Sequence, residues 1–201
     1  MNEDAPFAPP DFTSDVDVEA WIARCPPSAT AKGMFLTASA DVGRRAAPSR
    51  TDELYLGLTA RRWTPFLDYP LRDLMHLMVN STRLRWPNEP LREGLRRVGW
   101  TAYSTFQDSM AGRVIFAVGP KDLESKMGVV AKGISLSVSH AILKPRRVAE
   151  RHWHLAYDHV YCFLDSYHVG IVEGFVRAHG FTAEIGIRAE SPDRATFDVR
   201  W

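Results

Sequence analysis

The sequence has few cysteines and no motif that names a reaction. Only Cys25 and Cys162 occur among the 201 residues, and they form no CxxC pair. Two distant thiols of this kind indicate a reducing compartment and argue against a structural zinc site. A GxSxG nucleophile elbow, a P-loop and a GxGxxG turn are also absent. The sequence therefore gives no support to a hydrolase or a nucleotide-binding enzyme.

A long apolar run is also missing. No window reaches the roughly 20 apolar residues that a membrane-spanning helix needs. The first twenty residues begin with acidic side chains and contain no apolar core of a secretory signal. We therefore expect a soluble, cytoplasmic protein with no membrane span.

Neither sign of charge is in large excess: the sequence has 25 Lys and Arg and 24 Asp and Glu, a formal net charge of +1. A balanced charge creates no whole-molecule field for nucleic acid, so we expect no nucleic-acid partner. The distribution is uneven, however, since residues 1–23 carry six acidic side chains and no Lys or Arg. We expect residues 1–16 to form an acidic, proline-rich flexible arm and residues 17–201 to form a single α+β domain. The arm is a candidate to lie across the arginines between Arg83 and Arg97.

The first half of the chain has the apolar spacing of helices. Short helices are predicted near 17–25, over 32–47 and from 51, each with apolar residues on one side. Two longer helices follow, and the turn WPNEP at 86–90 separates them. Their apolar stripes are Leu71, Leu74, Met75, Met78 and Val79 in one, and Leu91, Leu95, Val98, Ala102 and Phe106 in the other. The pair predicts an antiparallel helical hairpin.

The apolar period changes from about 3.6 to 2 after a short helix that we predict from Asp122 to Met127. The first alternating set is Ile134, Leu136, Val138, His140 and Ile142, and the second is Trp153, Leu155 and Tyr157. A turn at 144–147 would join these two strands. A helix over 166–179 and two further strands complete the chain. This order predicts an α+β fold, with N-terminal helices packed on a C-terminal four-stranded antiparallel sheet in β-β-α-β-β order.

Two segments carry a resemblance to known proteins. They are YPLRDLMHLMVNSTRLRWPNEPLREGLRRVGWTAYSTFQDSMAG at 69–112 and DSYHVGIVEGFVRAHG at 165–180. With a last strand that ends in Trp201, they resemble an uncharacterised paralogous family of myxobacteria, a domain of unknown function. More distantly, the pattern Y-x-x-G-x-x-E-G at Tyr167, Gly170, Glu173 and Gly174 is similar to a superfamily of vinyl-reductase-type ligand domains, haem-nitric-oxide sensors and Bet3 tethering proteins. This resemblance implies a pocket between helices and sheet for an apolar or planar ligand, and often a dimer.

Seven histidines are candidate ligands of a metal or a haem. His152 and His154 share a strand face, but Asp158 lies too far along the same strand to join them. His76 faces the boundary between the buried and the exposed side of its helix, where a buried haem ligand is not expected. We therefore predict no metal site and no cofactor.

A pocket between the helical hairpin and the inner sheet face is the predicted site. Its candidate ligand-binding residues are Met75, Met78, Phe106, His140, Trp153, Tyr157, Phe175 and Glu173. His140 is included because alternation places it on the apolar face, and Glu173 is open to a structural ion pair or a ligand contact. The predicted function is a non-enzymatic sensor or regulatory domain that binds a small apolar ligand. The alternative is a homodimeric protein–protein interaction module with a fully packed interior and no ligand.

Overall fold

The computed structural model describes residues 5–108, 113 and 122–201, and the side chains of Phe106 and Val130 lie outside that description. The predicted contribution of Phe106 to a pocket is therefore outside the described residues.

Seven α-helices and six β-strands lie in the described part of the chain. The helices are α1 (Val18–Arg24), α2 (Gly33–Ala46), α3 (Thr51–Leu54), α4 (Leu71–Arg85), α5 (Leu91–Asp108), α6 (Leu123–Ser137) and α7 (Tyr167–Ala178). The strands are β1 (Thr30–Lys32), β2 (Asp68–Pro70), β3 (Ile142–Ala149), β4 (His152–Asp158), β5 (Glu184–Ser191) and β6 (Arg194–Arg200). Within the described residues, none of the helices combines the length and apolar character needed to cross a bilayer.

Helix ends follow local chemistry. The carboxylate of Asp17 accepts a hydrogen bond from the backbone N–H of Ala20 at 3.0 Å and so caps α1. Two prolines directly after Cys25 stop the helix, because proline cannot donate to the helical ladder. The two long helices α4 and α5 occur where the apolar stripes predict them, and they contact each other. That part of the prediction is confirmed.

The larger sheet has the strand order β3-β4-β6-β5, and every neighbouring pair is antiparallel. Helix α7 connects β4 to β5, so the strands and helix follow one another as β-β-α-β-β. The inner face buries Leu155, Tyr157, Phe197 and Val199. The predicted fold class, helices packed on a four-stranded antiparallel sheet, is confirmed. Strands β1 and β2 form a separate small ribbon.

The predicted strand from Ile134 to Ile142 is wrong. Helix α6 continues to Ser137, and β3 begins only at Ile142. The segment 144–147, predicted as a turn, lies within β3, while the turn falls at 150–151. Leu136 is 69% exposed because a helix rotates it away from the side that buries Met127 and Ala131. A longer helical spacing runs through this segment, at Leu123, Met127, Ala131 and Ile134. This longer pattern agrees with the helix that forms.

The N-terminal segment runs over the sheet and then along α5. Ala8 pairs with Ile187 of β5 through two backbone hydrogen bonds of 3.0 and 2.7 Å. Asp15 accepts a hydrogen bond from the backbone N–H of Leu91, at the start of α5, at 2.8 Å. The guanidinium of Arg96 lies 4.5 Å from the ring centre of Phe12. Flexibility of residues 1–16 stays a prediction, because these contacts do not measure motion.

Candidate functional site

An apolar cavity of about 60 Å³ lies among helices α2, α4, α5, α6 and α7. Apolar side chains form most of its wall: Phe35, Leu74, Ala102, Ile134, Val138 and Ile171. Polar side chains that also reach the wall are Tyr103, Ser137, Cys162, Tyr167 and His168. The cavity therefore meets helices from both halves of the chain, and within the described residues no member of the six strands contributes to its wall.

His168 is the polar group of most interest in this wall. It lies in the first turn of α7 and is 3% exposed. Its Nε2 lies 3.4 Å from the sulfur of Cys162, and its Nδ1 has no hydrogen-bond partner among the described residues. Burial lowers the pKa of His168 from 6.5 to about 3, because the charged imidazolium would lose its hydration. The imidazole is therefore neutral near pH 7.

The neighbouring groups are uncharged as well. Burial raises the pKa of Cys162 to about 12, so the sulfur stays a protonated thiol and is not a nucleophile near pH 7. Burial also raises the pKa of Tyr103 to about 12. A wall without charge suits an apolar ligand and disfavours an ionic one.

The predicted pocket residues on helices and sheet do not border this cavity. Met75 and Met78 are fully buried in α4, and Phe175 is 1% exposed in α7. Tyr157 on β4 is also buried, and its ring centre lies 5.5 Å from that of His168. Trp153 is half-buried near one end of the same strand. None of these side chains lines the cavity, but Tyr157 contacts His168, and the ring centre of Phe175 lies 5.0 Å from that of Tyr103, another residue of the wall.

The placement predicted for His140 is wrong. Its side chain is exposed, and its backbone φ is +68°, in the left-handed region. The cause is the end of α6 at Ser137, which leaves His140 in a connecting turn rather than in a strand. A residue in that turn has no inner sheet face to join.

Glu173 has the partners of a structural ion pair. Its two carboxylate oxygens accept hydrogen bonds from Arg96 Nε at 2.6 Å and Arg96 Nη2 at 2.8 Å. Trp100 Nε1 donates to the same carboxylate at 2.8 Å. This bidentate contact joins α5 to α7, away from the cavity wall.

The sequence did contain a signal for His168. His168, Val172 and Phe175 stand at i, i+4 and i+7, so one face of α7 carries all three. A polar residue on such a buried face points to a site or to a hydrogen-bonded core group. Cys162 precedes the helix in the sequence, and only the path of the chain through 163–166 brings its sulfur to the imidazole.

A second cluster of polar side chains lies on the outer face of the sheet. His152 and His154 on β4 meet Asp198 on β6, and one ligand atom from each lies within 4.8 Å of the others. His154 Nε2 is 3.0 Å from Asp198 Oδ1, and His152 Nε2 contacts the same oxygen. Sequence reasoning missed Asp198 because β4 and β6 are neighbours in the sheet but far apart in the chain. Cross-strand pairing places Asp198 directly opposite His154.

The protonation of this cluster follows from its surroundings. Burial lowers the pKa of His154, and the charges of Arg146 and His152 lower it further, although Asp198 opposes them. Burial alone would raise the pKa of Asp198, but hydrogen bonds and charges from His152, Arg200 and His154 together hold it below its usual value. The cluster therefore combines an ionised carboxylate with a largely neutral imidazole of His154 near pH 7.

Comparison with solved structures identifies H-NOX domains as similar in fold. The unliganded Fe(II) H-NOX protein from K. algicida gives a TM-score of 0.64 at 14% sequence identity, covering 84% of this chain and 95% of that chain. An H-NOX protein from S. oneidensis in the Fe(II)NO state gives 0.63 at 15% identity, covering 84% and 98%. An oxygen-binding H-NOX domain related to soluble guanylate cyclases gives 0.60 at 18%, covering 84% and 93%. Identities this low show a common fold alone.

Comparison with curated proteins finds no match. A family model does match, and it covers residues 24–201, which include the cavity, the sheet and the cluster of His152, His154 and Asp198. On that match the chain belongs to DUF2378, a family of proteins of unknown function.

Proposed function

We propose that this protein is a non-enzymatic sensor domain that binds a small apolar ligand in the cavity beside His168. The observation that carries the proposal is the cavity itself, an apolar space of about 60 Å³ at the meeting point of five helices. Protein interiors are close-packed, so a space of this size beside the buried side chains of Leu74, Cys162 and His168 is a feature that needs an explanation. The H-NOX fold, in which one solved domain is described as oxygen-binding, supports the same class of function.

The free energy available for binding is modest. Filling an apolar cavity of this size recovers on the order of 1 kcal/mol, from the cost per unit volume measured for engineered cavities. We infer that the ligand has an apolar body and is small, with at most a few heavy atoms.

A haem does not fit the described residues. One of the similar structures is described by its haem redox potential and porphyrin distortion, so the fold raises the question of whether this chain could hold a haem. Sites for drug-sized ligands typically occupy about 300–1,000 Å³. The cavity beside His168 has only about 60 Å³.

The other histidines offer no better haem ligand within residues 5–108 and 122–201. His76 is packed against the turn at Gly57, where an added Cβ would lie 3.0 Å from the imidazole. His179 is held by the carbonyl oxygen of Phe175 at 2.8 Å and by Lys126 at 3.0 Å. His140 is exposed and His159 partly so, while His152 and His154 share Asp198 on the outer sheet face. None of these imidazoles borders the cavity.

The position of the cavity suggests how occupancy could be sensed. Its wall is built from residues of α2, α4, α5, α6 and α7, and α6 also contacts β3 of the sheet. A ligand that prefers one packing of these helices shifts the population toward it by the difference in its affinity for the two states. Homodimer formation, the alternative function, stays a prediction.

Xenon is a suitable probe, because it is apolar and binds dry cavities in proteins. We expect dissolved xenon to shift the amide NMR signals of Ala102, Ile134 and Ile171 in the full chain. The variant Ala102→Leu fills the cavity and should abolish these shifts. Ser104→Leu adds the same side chain to an exposed position of α5 and should leave them unchanged. Wild-type shifts confined to other regions, or shifts that persist in Ala102→Leu, would contradict the proposal.

A further inference from the structure

We propose that His152, His154 and Asp198 form a zinc site on the outer face of the sheet, separate from the cavity and independent of the function proposed for it. Two imidazole nitrogens and one carboxylate oxygen are a ligand set that zinc accepts, with water or another group in the fourth position. The sequence alone predicted no metal site, because Asp158 lies too far along β4 from His152 and His154. Asp198, from the neighbouring strand, supplies the carboxylate instead.

The geometry needs little adjustment. Zinc–nitrogen and zinc–oxygen bonds of about 2.0–2.2 Å in a tetrahedron place ligand atoms about 3.3 Å apart. His154 Nε2 and Asp198 Oδ1 are already 3.0 Å apart, and no two of the three ligand atoms are farther apart than 4.8 Å. Two rigid strands hold the backbones, so side-chain rotations alone can complete the site.

Burial favours a specific site over a loose surface contact. The side chains of His152, His154 and Asp198 are only 20%, 17% and 10% exposed. The ring of Phe7 covers His154 with 5.1 Å between ring centres, and Ala8 anchors that segment to β5. A partly buried site has fewer competing water ligands and keeps its imidazoles in place.

Two arginines oppose the cation. Arg200 Nη2 lies 3.0 Å from Asp198 Oδ2, and Arg146 Nη2 lies 2.7 Å from His154 Nδ1. Arginine only donates hydrogen bonds, so His154 Nδ1 must accept, and its proton is on Nε2, facing Asp198. Zinc at Nε2 requires that proton to move to Nδ1 and the exposed Arg146 side chain to swing away. Arg146 therefore lowers the affinity without blocking the site.

Zinc titration of the untagged full chain by calorimetry, after treatment with a chelator, tests the site. We expect one zinc ion per chain with a micromolar or lower Kd. His152→Gln and His154→Gln should each weaken binding at least about 10-fold. His159→Gln is the matched control, because His159 also pairs with an aspartate, Asp158, at 2.9 Å. Equal binding by wild type and both site variants, or equal loss in the control, would overturn the proposal.

Two further measurements keep the test decisive if a site variant fails to fold. In the wild type, imidazole ¹⁵N signals of His152 and His154 should shift on zinc addition, while those of His140 and His168 stay in place. Arg146→Gln should tighten zinc binding several-fold, because the glutamine oxygen can accept the Nδ1 proton of His154. Zinc-induced shifts at other histidines, or weaker zinc binding by Arg146→Gln, would count against the site.

Discussion

At the scale of single residues, His168 lies in the wall of the cavity and also makes the folded state less stable at acidic pH. Its ring lies among Tyr157, Tyr167 and Cys162, and the sulfur of Cys162 lies within hydrogen-bond distance of Nε2. The folded protein keeps this imidazole neutral down to about pH 3, whereas the unfolded chain protonates it near pH 6.5. Between these values the unfolded state binds one more proton than the folded state, so stability rises with pH there.

Lowering the pH from 7 to 5 should therefore destabilise the protein. The loss from His168 alone is about 2 kcal/mol of unfolding free energy, at about 1.4 kcal/mol per pH unit below the unfolded pKa. Urea denaturation at several pH values measures it. His168→Gln should lose about 2 kcal/mol less over this interval, since glutamine does not titrate. A wild-type slope in His168→Gln would refute the assignment.

Glu173 makes a second prediction at the residue scale. Glu173→Gln removes the charge that binds Arg96 through two hydrogen bonds and Trp100 through a third. The expected loss is about 1–3 kcal/mol of unfolding free energy, typical of hydrogen bonds to a charged group. The urea midpoint is the measurement. The solvent-exposed pair Arg50–Glu53 provides the control, and Arg50→Gln should leave the midpoint nearly unchanged, because solvent screens such pairs. Equal effects of the two variants would contradict the structural role of Glu173.

At the scale of elements, the contact of α5 with α7 depends on glycine. A Cβ on Gly170 would overlap the carbonyl oxygen of Arg96, and a Cβ on Gly174 would lie 2.8 Å from the carbonyl oxygen of Trp100. These contacts bring the two backbones together and place Glu173 beside Arg96. The Y-x-x-G-x-x-E-G pattern in the sequence therefore has a packing role in α7.

Gly170→Ala should separate α5 from α7. We expect a loss of at least about 2 kcal/mol, because backbone atoms cannot yield to an added methyl group. Gly128→Ala is the matched control: Gly128 lies inside α6 with no atom within 4 Å of an added Cβ. That change should stabilise the protein by about 0.5–1 kcal/mol, the helix preference of alanine over glycine. Thermal unfolding of both variants gives the comparison, and a stabilised Gly170→Ala would refute the packing argument.

The element scale also shows which parts of the fold the sequence can predict. Helices α4, α5 and α7 carry long apolar stripes, and their positions were predicted within a few residues. The strand assigned to Ile134–Ile142 failed, because apolar residues at 134, 136 and 138 alternate while 123, 127, 131 and 134 repeat helically. A short stretch satisfies both periods, and only packing of α6 against the rest of the protein chooses between them. Because that segment was predicted as a strand, His140 was also predicted on the apolar face, whereas it is exposed in a turn.

At the scale of the whole molecule, both candidate sites depend on contacts between distant parts of the chain. The cavity joins Phe35 and Leu74 to Ile171, and the outer cluster joins His154 to Asp198. Sequence patterns predicted a ligand site between helices and another layer, but strand order and helix packing determine which side chains meet. The register of β4 against β6 could not be read from residues separated by more than forty positions. The buried position of His168 was readable from helical spacing, but its contact with the cavity was not.

The proposed binding of a small apolar ligand beside His168 can be tested by a crystal structure of the full chain under xenon pressure, because xenon atoms are located by their own scattering. We expect a xenon atom between Ala102, Ile134 and Ile171, next to the ring of His168. A cavity without xenon, in crystals where xenon occupies other positions, would contradict the proposed ligand site.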